Sequence, residues 1–337
     1  MKTFKLLHHC TSLALVVYST IVSASPVLFG YTGTYVDYEI TTTGYYDVTA
    51  GGAQGGGTSY LGPGSGAIIG GSLFLTSGQQ LKIAVGGAGV GGDGTPYYYH
   101  LTQGGGGGGG SFVALTNGSS YTPLVIAGGG GGAGYTLDGV AHNGIDAQLG
   151  RSGADGVRCF QAAPEHGGYG GINGNGGGGA ACRLNSYPSY NAAGGGGFYT
   201  GGGDGYSGVG GYGGGSFVGD LHGGSINGRG YYGYGGFGGG GGAGGENGGF
   251  VGGGGGGYSG GGGGGTSWGG GGGGGSYFTS DEIFDATQFI FDNPYKGGNG
   301  YVSIELLRAV EVPEPGTFVL MSAAFGLMGA ITRRRKA

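Results

Sequence analysis

The stretch from Val251 to Tyr277 reads V-GGGGGG-YS-GGGGGG-TSW-GGGGGGG-SY, in which two short groups with aromatic residues separate three glycine runs. Glycine supplies 104 of the 337 residues. The runs have no repeat period of three and the chain has nine prolines, which excludes a collagen triple helix. The remaining choice is between an ordered and a disordered glycine array.

Large rings at the ends of the runs favour order, because disordered tracts usually lack so many apolar side chains. Examples are Phe198, Phe237, Tyr258 and Trp268. Polyglycine II helices, with three residues per turn, would let bare backbones approach closely and hydrogen bond laterally. The alternative reading of the same composition is a set of flexible linkers.

Alternating apolar and polar residues predict strands on both sides of the main glycine mass. No part of the exported region has a helical period. The predicted strands are 34–41, 44–50, 67–76, 80–86, 111–115, 122–127, 287–291 and 300–307. This pattern predicts an all-β sandwich, one domain over 25–312 with a polyglycine-rich insertion at about 128–275.

The N-terminus has the features of a secretory signal peptide. Two lysines precede an apolar stretch, and small residues follow it up to Ala24. We predict cleavage by signal peptidase between Ala24 and Ser25, which removes residues 1–24. A retained N-terminal anchor is the alternative.

The C-terminus, 313–337, has three parts: Pro313-Glu314-Pro315, an apolar segment 316–332, and a basic tail 333–336 that contains Arg333, Arg334 and Arg335. The tail resembles the bacterial PEP-CTERM sorting signal. That resemblance implies processing by an exosortase, a transient anchor in the inner membrane and an association with exopolysaccharide. The apolar segment is shorter than the roughly 20 residues of a usual membrane span, and a plain C-terminal anchor is the alternative.

The exported part is acidic. Between Ser25 and Val312 stand 17 acidic and 7 basic residues, because only Glu314 and six of the bases lie in the two targeting ends. Nucleic acid and anionic lipid surfaces are therefore poor partners.

Cys159 and Cys182 are the cysteines that remain after cleavage, and export predicts a disulfide between them. Two free thiols, or a redox pair, are the alternatives.

Apparent catalytic motifs occur in this sequence only because it is so rich in glycine. Ser259 and Ser267 each stand in a GxSxG pattern, but glycine runs replace the strand and helix of a nucleophile elbow. The exported histidines, His100, His142, His166 and His222, lack metal-ligand spacing. We expect no catalytic residue, cofactor or metal ion.

Several segments in order resemble one known family. They are 40–56 (ITTTGYYDVTAGGAQGG), 70–87 (GGSLFLTSGQQLKIAVGG), 106–112, 123–132 (PLVIAGGGGG), 271–277 and 300–304. Together they resemble the extracellular glycine-rich domain of the anaplastic lymphoma kinase and leukocyte tyrosine kinase receptors. The resemblance implies a tumour necrosis factor-like (jelly-roll) sandwich with a bundle of polyglycine II helices. It implies no kinase activity, since the sequence has no HRD or DFG motif.

The sequence therefore predicts a non-enzymatic cell-surface or matrix protein that acts as an adhesion or structural module. Its 25 tyrosines could stack on sugars, or could pack inside the fold. Extracellular polysaccharide is the expected partner. The alternatives are a module for a specific surface protein ligand, a scaffold that binds nothing, and an unrecognised hydrolase.

Overall fold

The computed structural model describes residues 25–58, 61–92, 104–134, 142–157, 167–182, 191–206, 210–226, 233–244, 251–265, 269–279, 289–295 and 298–310. These ranges contain ten strands and no helix. The strands are β1 (Val27–Phe29), β2 (Tyr35–Glu39), β3 (Gly44–Gly51), β4 (Gly66–Leu75), β5 (Gln80–Ala84), β6 (Ser111–Asn117), β7 (Ser120–Ala127), β8 (Tyr277–Phe278), β9 (Phe289–Tyr295) and β10 (Tyr301–Ala309).

The strands form two antiparallel sheets of five strands each. The order is β1-β10-β3-β4-β9 in the first sheet and β2-β5-β6-β7-β8 in the second. Each of the eight predicted strands overlaps a strand of the structure. The sequence missed β1 and β8, which are too short for their alternation to be recognised.

Alternate residues of the two sheets meet in a hydrophobic core. Val48 of β3 and Ile304 of β10 face it from the first sheet, and Ile83 of β5 and Val113 of β6 face it from the second. All four are almost completely buried. The prediction of an all-β protein with two packed sheets is thus confirmed.

The glycine-rich segments form a separate layer, which we call the glycine array. It has no extended strand ladder within the described ranges. Its segments are 52–57, 62–65, 86–92, 104–110, 128–134, 142–148, 153–157, 167–172, 174–180, 191–197, 200–206, 210–217, 221–226, 233–237, 238–244, 251–257, 260–265 and 269–275.

Hydrogen bonds between these segments recur every third residue. The run 104–110 donates to three neighbouring segments in turn, and residues three apart donate to the same neighbour. The amide and carbonyl partners are Gly105–Ala133, Gly106–Val90, Gly107–Gly241, Gly108–Gly130, Gly109–Gly87 and Gly110–Gly238, at 2.8–3.0 Å. The backbone of this run therefore donates hydrogen bonds in three directions, whereas a β-strand bonds only within the plane of its sheet.

The run 252–257 lies at the centre of the array. Its amides donate to 269–275, 104–110 and 191–197, and its carbonyls accept from 260–265, 128–134 and 238–244. Six neighbours around one segment is hexagonal packing. Such packing requires that no side chain separate the backbones, which explains why the runs consist of glycine.

Added methyl groups would not fit in the centre of the array. A Cβ atom on Gly254 would overlap the carbonyl oxygen of Gly261 and lie 2.8 Å from the amide nitrogen of Gly195. A Cβ atom on Gly107 would overlap the carbonyl oxygen of Gly254. The obstruction is main chain, so a change of rotamer cannot relieve it.

Aromatic turns of the array cover the outer face of the second sheet. Phe112 of β6 points away from the core between the sheets and stacks on Phe217, with ring centroids 5.1 Å apart. Phe217 stacks in turn on Phe198 at 4.9 Å. The second sheet is thus covered on its outer face around Ala84, Phe112, Ala114 and Ile126, and the array is attached to the sandwich through these rings.

Buried serines hold the places where strands continue into glycine segments. Ser111, which starts β6, donates through Oγ to the carbonyl of Gly51 at 2.7 Å and accepts from the amide of Gly86 at 3.0 Å. Ser276 accepts from the amide of Gly128 at 3.0 Å. These bonds give hydrogen-bond partners to buried main-chain groups at the ends of strands, where a neighbouring strand does not supply one.

Candidate functional site

Exposed tyrosines mark the edge of the glycine array. Tyr169, Tyr206, Tyr212 and Tyr234 lie on four different outer segments, and their exposed fractions run from 62% for Tyr169 to 37% for Tyr234. We call these four residues the tyrosine face. Several exposed aromatic side chains along one edge make that edge a candidate contact surface for a partner.

The segments that carry the tyrosine face follow one another around the edge of the array. Their order is 167–172, 174–180, 200–206, 210–217, 221–226 and 233–237, joined by main-chain hydrogen bonds. For example, the amide of Gly205 donates to the carbonyl of Gly211 at 2.9 Å. Tyr206 and Tyr212 are therefore on adjacent segments, whereas one intervening segment separates Tyr169 from Tyr206 and another separates Tyr212 from Tyr234.

Two aspartates bond to main-chain amides beside the exposed tyrosines. Oδ1 of Asp155 accepts from the amide of Gly170, next to Tyr169, at 2.7 Å. Oδ1 of Asp204 accepts from the amide of Gly213, next to Tyr212, at 2.8 Å. We call Asp155 with Tyr169, and Asp204 with Tyr212, the two Asp–Tyr units. Both aspartates are exposed.

A third aspartate makes the same bond without a tyrosine. Oδ1 of Asp146 accepts from the amide of Ser65 at 2.6 Å. The sequence analysis singled out none of these three carboxylates. The signal was a Gly-X-Asp-(Gly/Ala) pattern that occurs at 91–94, 144–147, 153–156 and 202–205. The last three lie on outer segments of the array, and Asp93 lies outside the described residues.

Other rings are used for packing, as the alternative interpretation of the tyrosines expected. Tyr258 stacks on Tyr277 with centroids 4.6 Å apart, and Arg151 lies over the ring of Tyr277 at 4.6 Å. The hydroxyl of Tyr35 donates to the carbonyl of Phe217 at 2.7 Å, and burial raises the pKa of Tyr35 to about 12. These rings join the array to the sandwich and are not available to a ligand.

The segments that bear the tyrosine face are acidic. In the described parts of 167–182, 191–206, 210–226 and 233–244 stand Asp204 and Asp220, and these parts have no lysine or arginine. His222 is exposed there, and its Nδ1 lies 3.0 Å from the carbonyl oxygen of Gly223. Arg183 and Arg229 lie outside the described residues.

The serine that matched a nucleophile motif has a structural role. Ser259 is fully buried, and its Oγ accepts from the amide of Gly174 at 3.0 Å. Ser267, His100 and His166 lie outside the described residues. Burial lowers the pKa of His142. Among the described residues, no group of three or more His, Cys, Asp or Glu could hold a metal ion.

Several residues of the predicted sites lie outside the described part of the chain. These are the signal cleavage site at Ala24, the residues Pro313, Glu314 and Pro315, the arginines 333–335, and Cys159. Cys182 is buried, and the side chain of Asn191 bonds to both its amide and its carbonyl at 3.0 Å. Its pairing with Cys159 stays a prediction. No helix in the described part of the chain is long and apolar enough to cross a membrane.

Comparison with known proteins concerns the C-terminus. Residues 311–336 match the PEP-CTERM protein-sorting motif. No curated protein matches the chain. The resemblance to the glycine-rich domain of the kinase receptors, and with it the jelly-roll topology, stays a prediction. The motif indicates an exported bacterial protein that an exosortase processes and sorts to the cell surface.

Proposed function

We propose that this protein is a non-enzymatic cell-surface or matrix protein whose tyrosine face adheres to extracellular polysaccharide. The observation that carries the proposal is the set of exposed rings on consecutive outer segments of the array. Flat aromatic faces stack against the apolar faces of sugar rings, and a rigid support lowers the entropy lost when a ligand binds.

We infer that the segments of the glycine array are polyglycine II helices. The recurrence of hydrogen bonds every third residue and the six neighbours of 252–257 support this inference, because this helix has three residues per turn. A tumour necrosis factor-like sandwich below the array is part of the same proposal. The array would then act as a stiff platform that holds the tyrosines at fixed separations.

The absence of an enzymatic activity is also a proposal. The burial of Ser259, whose Oγ is occupied by a main-chain amide, supports it. A disulfide between Cys182 and Cys159 would further hold the edge of the array, and the buried position of Cys182 agrees with that role.

Export supplies the setting for this function. We propose that signal peptidase cuts after Ala24 and that the apolar segment 316–332 anchors the chain briefly in the inner membrane before the exosortase acts. The match of 311–336 to the sorting motif supports this route. The mature protein would then reside in the envelope or the extracellular matrix.

Co-sedimentation tests the proposal directly. The purified full chain is mixed with exopolysaccharide from the producing cells, with soluble sugars as competitors. We expect saturable binding that sugars compete away, and weaker binding by a Tyr206→Ala, Tyr212→Ala double variant. A folded protein that fails to bind would refute adhesion to polysaccharide and leave a protein ligand or a purely structural role.

A further inference from the structure

The two Asp–Tyr units are built alike. In each, an aspartate on one outer segment caps the amide that follows a tyrosine on the next outer segment, at 2.7 Å in one and 2.8 Å in the other. The local sequences also agree, with GADG at 153–156 and GGYGG at 167–171 in the first unit, and GGDG at 202–205 and GGYGG at 210–214 in the second. The array thus presents the same chemistry twice.

We propose that the two Asp–Tyr units bind a polymer with regularly repeated positive charges, namely an amino-sugar polysaccharide with free amino groups. The proposal rests on the proposed function, because it specifies which polysaccharide the tyrosine face binds.

Charge complementarity favours a cationic polymer. Beside the tyrosines stand the carboxylates of Asp155 and Asp204, and the described parts of 167–182, 191–206 and 210–226 have no lysine or arginine. Arg151, four residues before Asp155, lies over the ring of Tyr277. The exported part of the chain carries about ten net negative charges when every acid is ionised. A polyanionic polysaccharide would be repelled over the whole surface, whereas ammonium groups would be attracted to it.

Each unit combines two interactions that an amino sugar can use together. The ring of an exposed tyrosine attracts a cation by about 0.5–1 kcal/mol, and an exposed carboxylate adds up to about 1 kcal/mol. The sugar ring can stack on the tyrosine while its ammonium group approaches the carboxylate. A neutral sugar gains the stacking alone.

The duplication of the unit favours a polymer over a small cation. A single unit would hold an isolated amine weakly, because both interactions are exposed to water. A chain that reaches Tyr169 and Tyr212 together binds the second unit as an intramolecular event. The segments 174–180 and 200–206 separate the two tyrosines along the edge, so the ligand must be extended.

The test compares chitosan oligosaccharides with the same oligosaccharides after N-acetylation, using the full chain at low and at moderate salt. We expect chitosan to bind at least about tenfold more tightly at low salt, and this preference to shrink as salt increases. Equal binding of the two forms would overturn the inference and leave the proposed function intact. Binding of neither would also overturn the inference, and the co-sedimentation experiment with exopolysaccharide from the producing cells would then decide the proposed function separately.

Substitutions of the two aspartates test whether their negative charge binds the ligand or whether they only accept hydrogen bonds from main-chain amides. Asn keeps an oxygen that can accept from the Gly170 and Gly213 amides but removes the charge, so the Asp155→Asn, Asp204→Asn double variant should fold normally. It should bind chitosan more weakly than the unchanged protein, and the remaining preference for chitosan over the N-acetylated form should reflect only the attraction of the tyrosine rings for the ammonium groups. Asp146→Asn is the matched control, because Asp146 caps Ser65 without a tyrosine beside it. Unchanged chitosan affinity in the double variant would show that the aspartates only cap amides. A lysine homopolymer that binds as tightly as chitosan would refute the assignment to a sugar.

Discussion

Replacement of Gly254 by alanine tests whether hexagonal packing of bare backbones stabilises the array. The new Cβ atom would overlap the carbonyl oxygen of Gly261 and lie 2.8 Å from the amide nitrogen of Gly195. Contact between non-bonded atoms needs about 3.5 Å, so the segments 252–257 and 260–265 must separate.

Separation weakens the hydrogen bonds that join these segments. Gly261 donates to Gly255 at 2.8 Å and Gly264 donates to Gly252 at 2.9 Å, and the groups are buried. A buried amide or carbonyl that loses its partner costs about 1–3 kcal/mol. We therefore expect Gly254→Ala to lower the free energy of unfolding by about 3 kcal/mol, the upper part of the usual range for overpacking.

Gly178→Ala is the matched control on the edge of the array. Its Cβ atom would lie 3.5 Å from the amide nitrogen of Tyr169, which is ordinary contact. Alanine also restricts the unfolded chain, so this change should be neutral or stabilising by up to about 1 kcal/mol. Urea unfolding followed by near-ultraviolet circular dichroism measures both variants. Equal stability of Gly254→Ala and Gly178→Ala would refute the close packing of the central segments.

Three further changes test other contacts. Phe217→Ala removes the ring that stacks between Phe112 and Phe198, and should cost about 3–5 kcal/mol in urea unfolding; a loss below 1 kcal/mol would show that the array does not depend on this attachment. Asp47 stands opposite Glu305 on the neighbouring strand. Burial, and to a smaller extent the charge of Glu305, raise the pKa of Asp47 in the folded protein. Ionisation of Asp47 therefore lowers the free energy of unfolding as the pH rises above the unfolded pKa near 3.8. Asp47→Asn should stabilise the protein by about 0.2–1 kcal/mol at pH 7 and not at pH 3, and thermal unfolding at the two pH values that gave equal shifts would contradict this assignment. Ser111→Ala should cost about 1–3 kcal/mol because the buried amide of Gly86 and the carbonyl of Gly51 lose their partner, whereas an unchanged unfolding midpoint would mean that other groups satisfy them.

Strand positions could be predicted because alternation is a local property. In β10, Val302 and Ile304 face the core while Ser303 and Glu305 do not, and this pattern is visible in the sequence alone. The pairing of β3 with both β4 and β10 could not be predicted in this way, since partner choice depends on contacts between residues far apart in sequence.

The candidate site was less accessible to prediction than the fold. Glycine runs are identical to one another, so nothing in 252–257 says that it lies at the centre while 200–206 lies at the edge. Which tyrosines are exposed follows from that arrangement. Only the recurrent Gly-X-Asp pattern indicates outer segments, because a side chain can be accommodated where the array meets water.

Energetics link the aromatic attachment to the rigidity of the tyrosine face. Ordering the backbone of one residue costs about 1–2 kcal/mol, and glycine loses more freedom than other residues. One main-chain hydrogen bond returns about 0.5–1.5 kcal/mol net, so lateral bonding alone does not order a glycine segment. The burial of Phe198, Phe217 and Tyr258 against the second sheet adds a hydrophobic contribution that lateral bonding lacks. We therefore expect the sandwich to stabilise the segments that carry these rings, and through their main-chain hydrogen bonds the outer segments that carry Tyr206 and Tyr212.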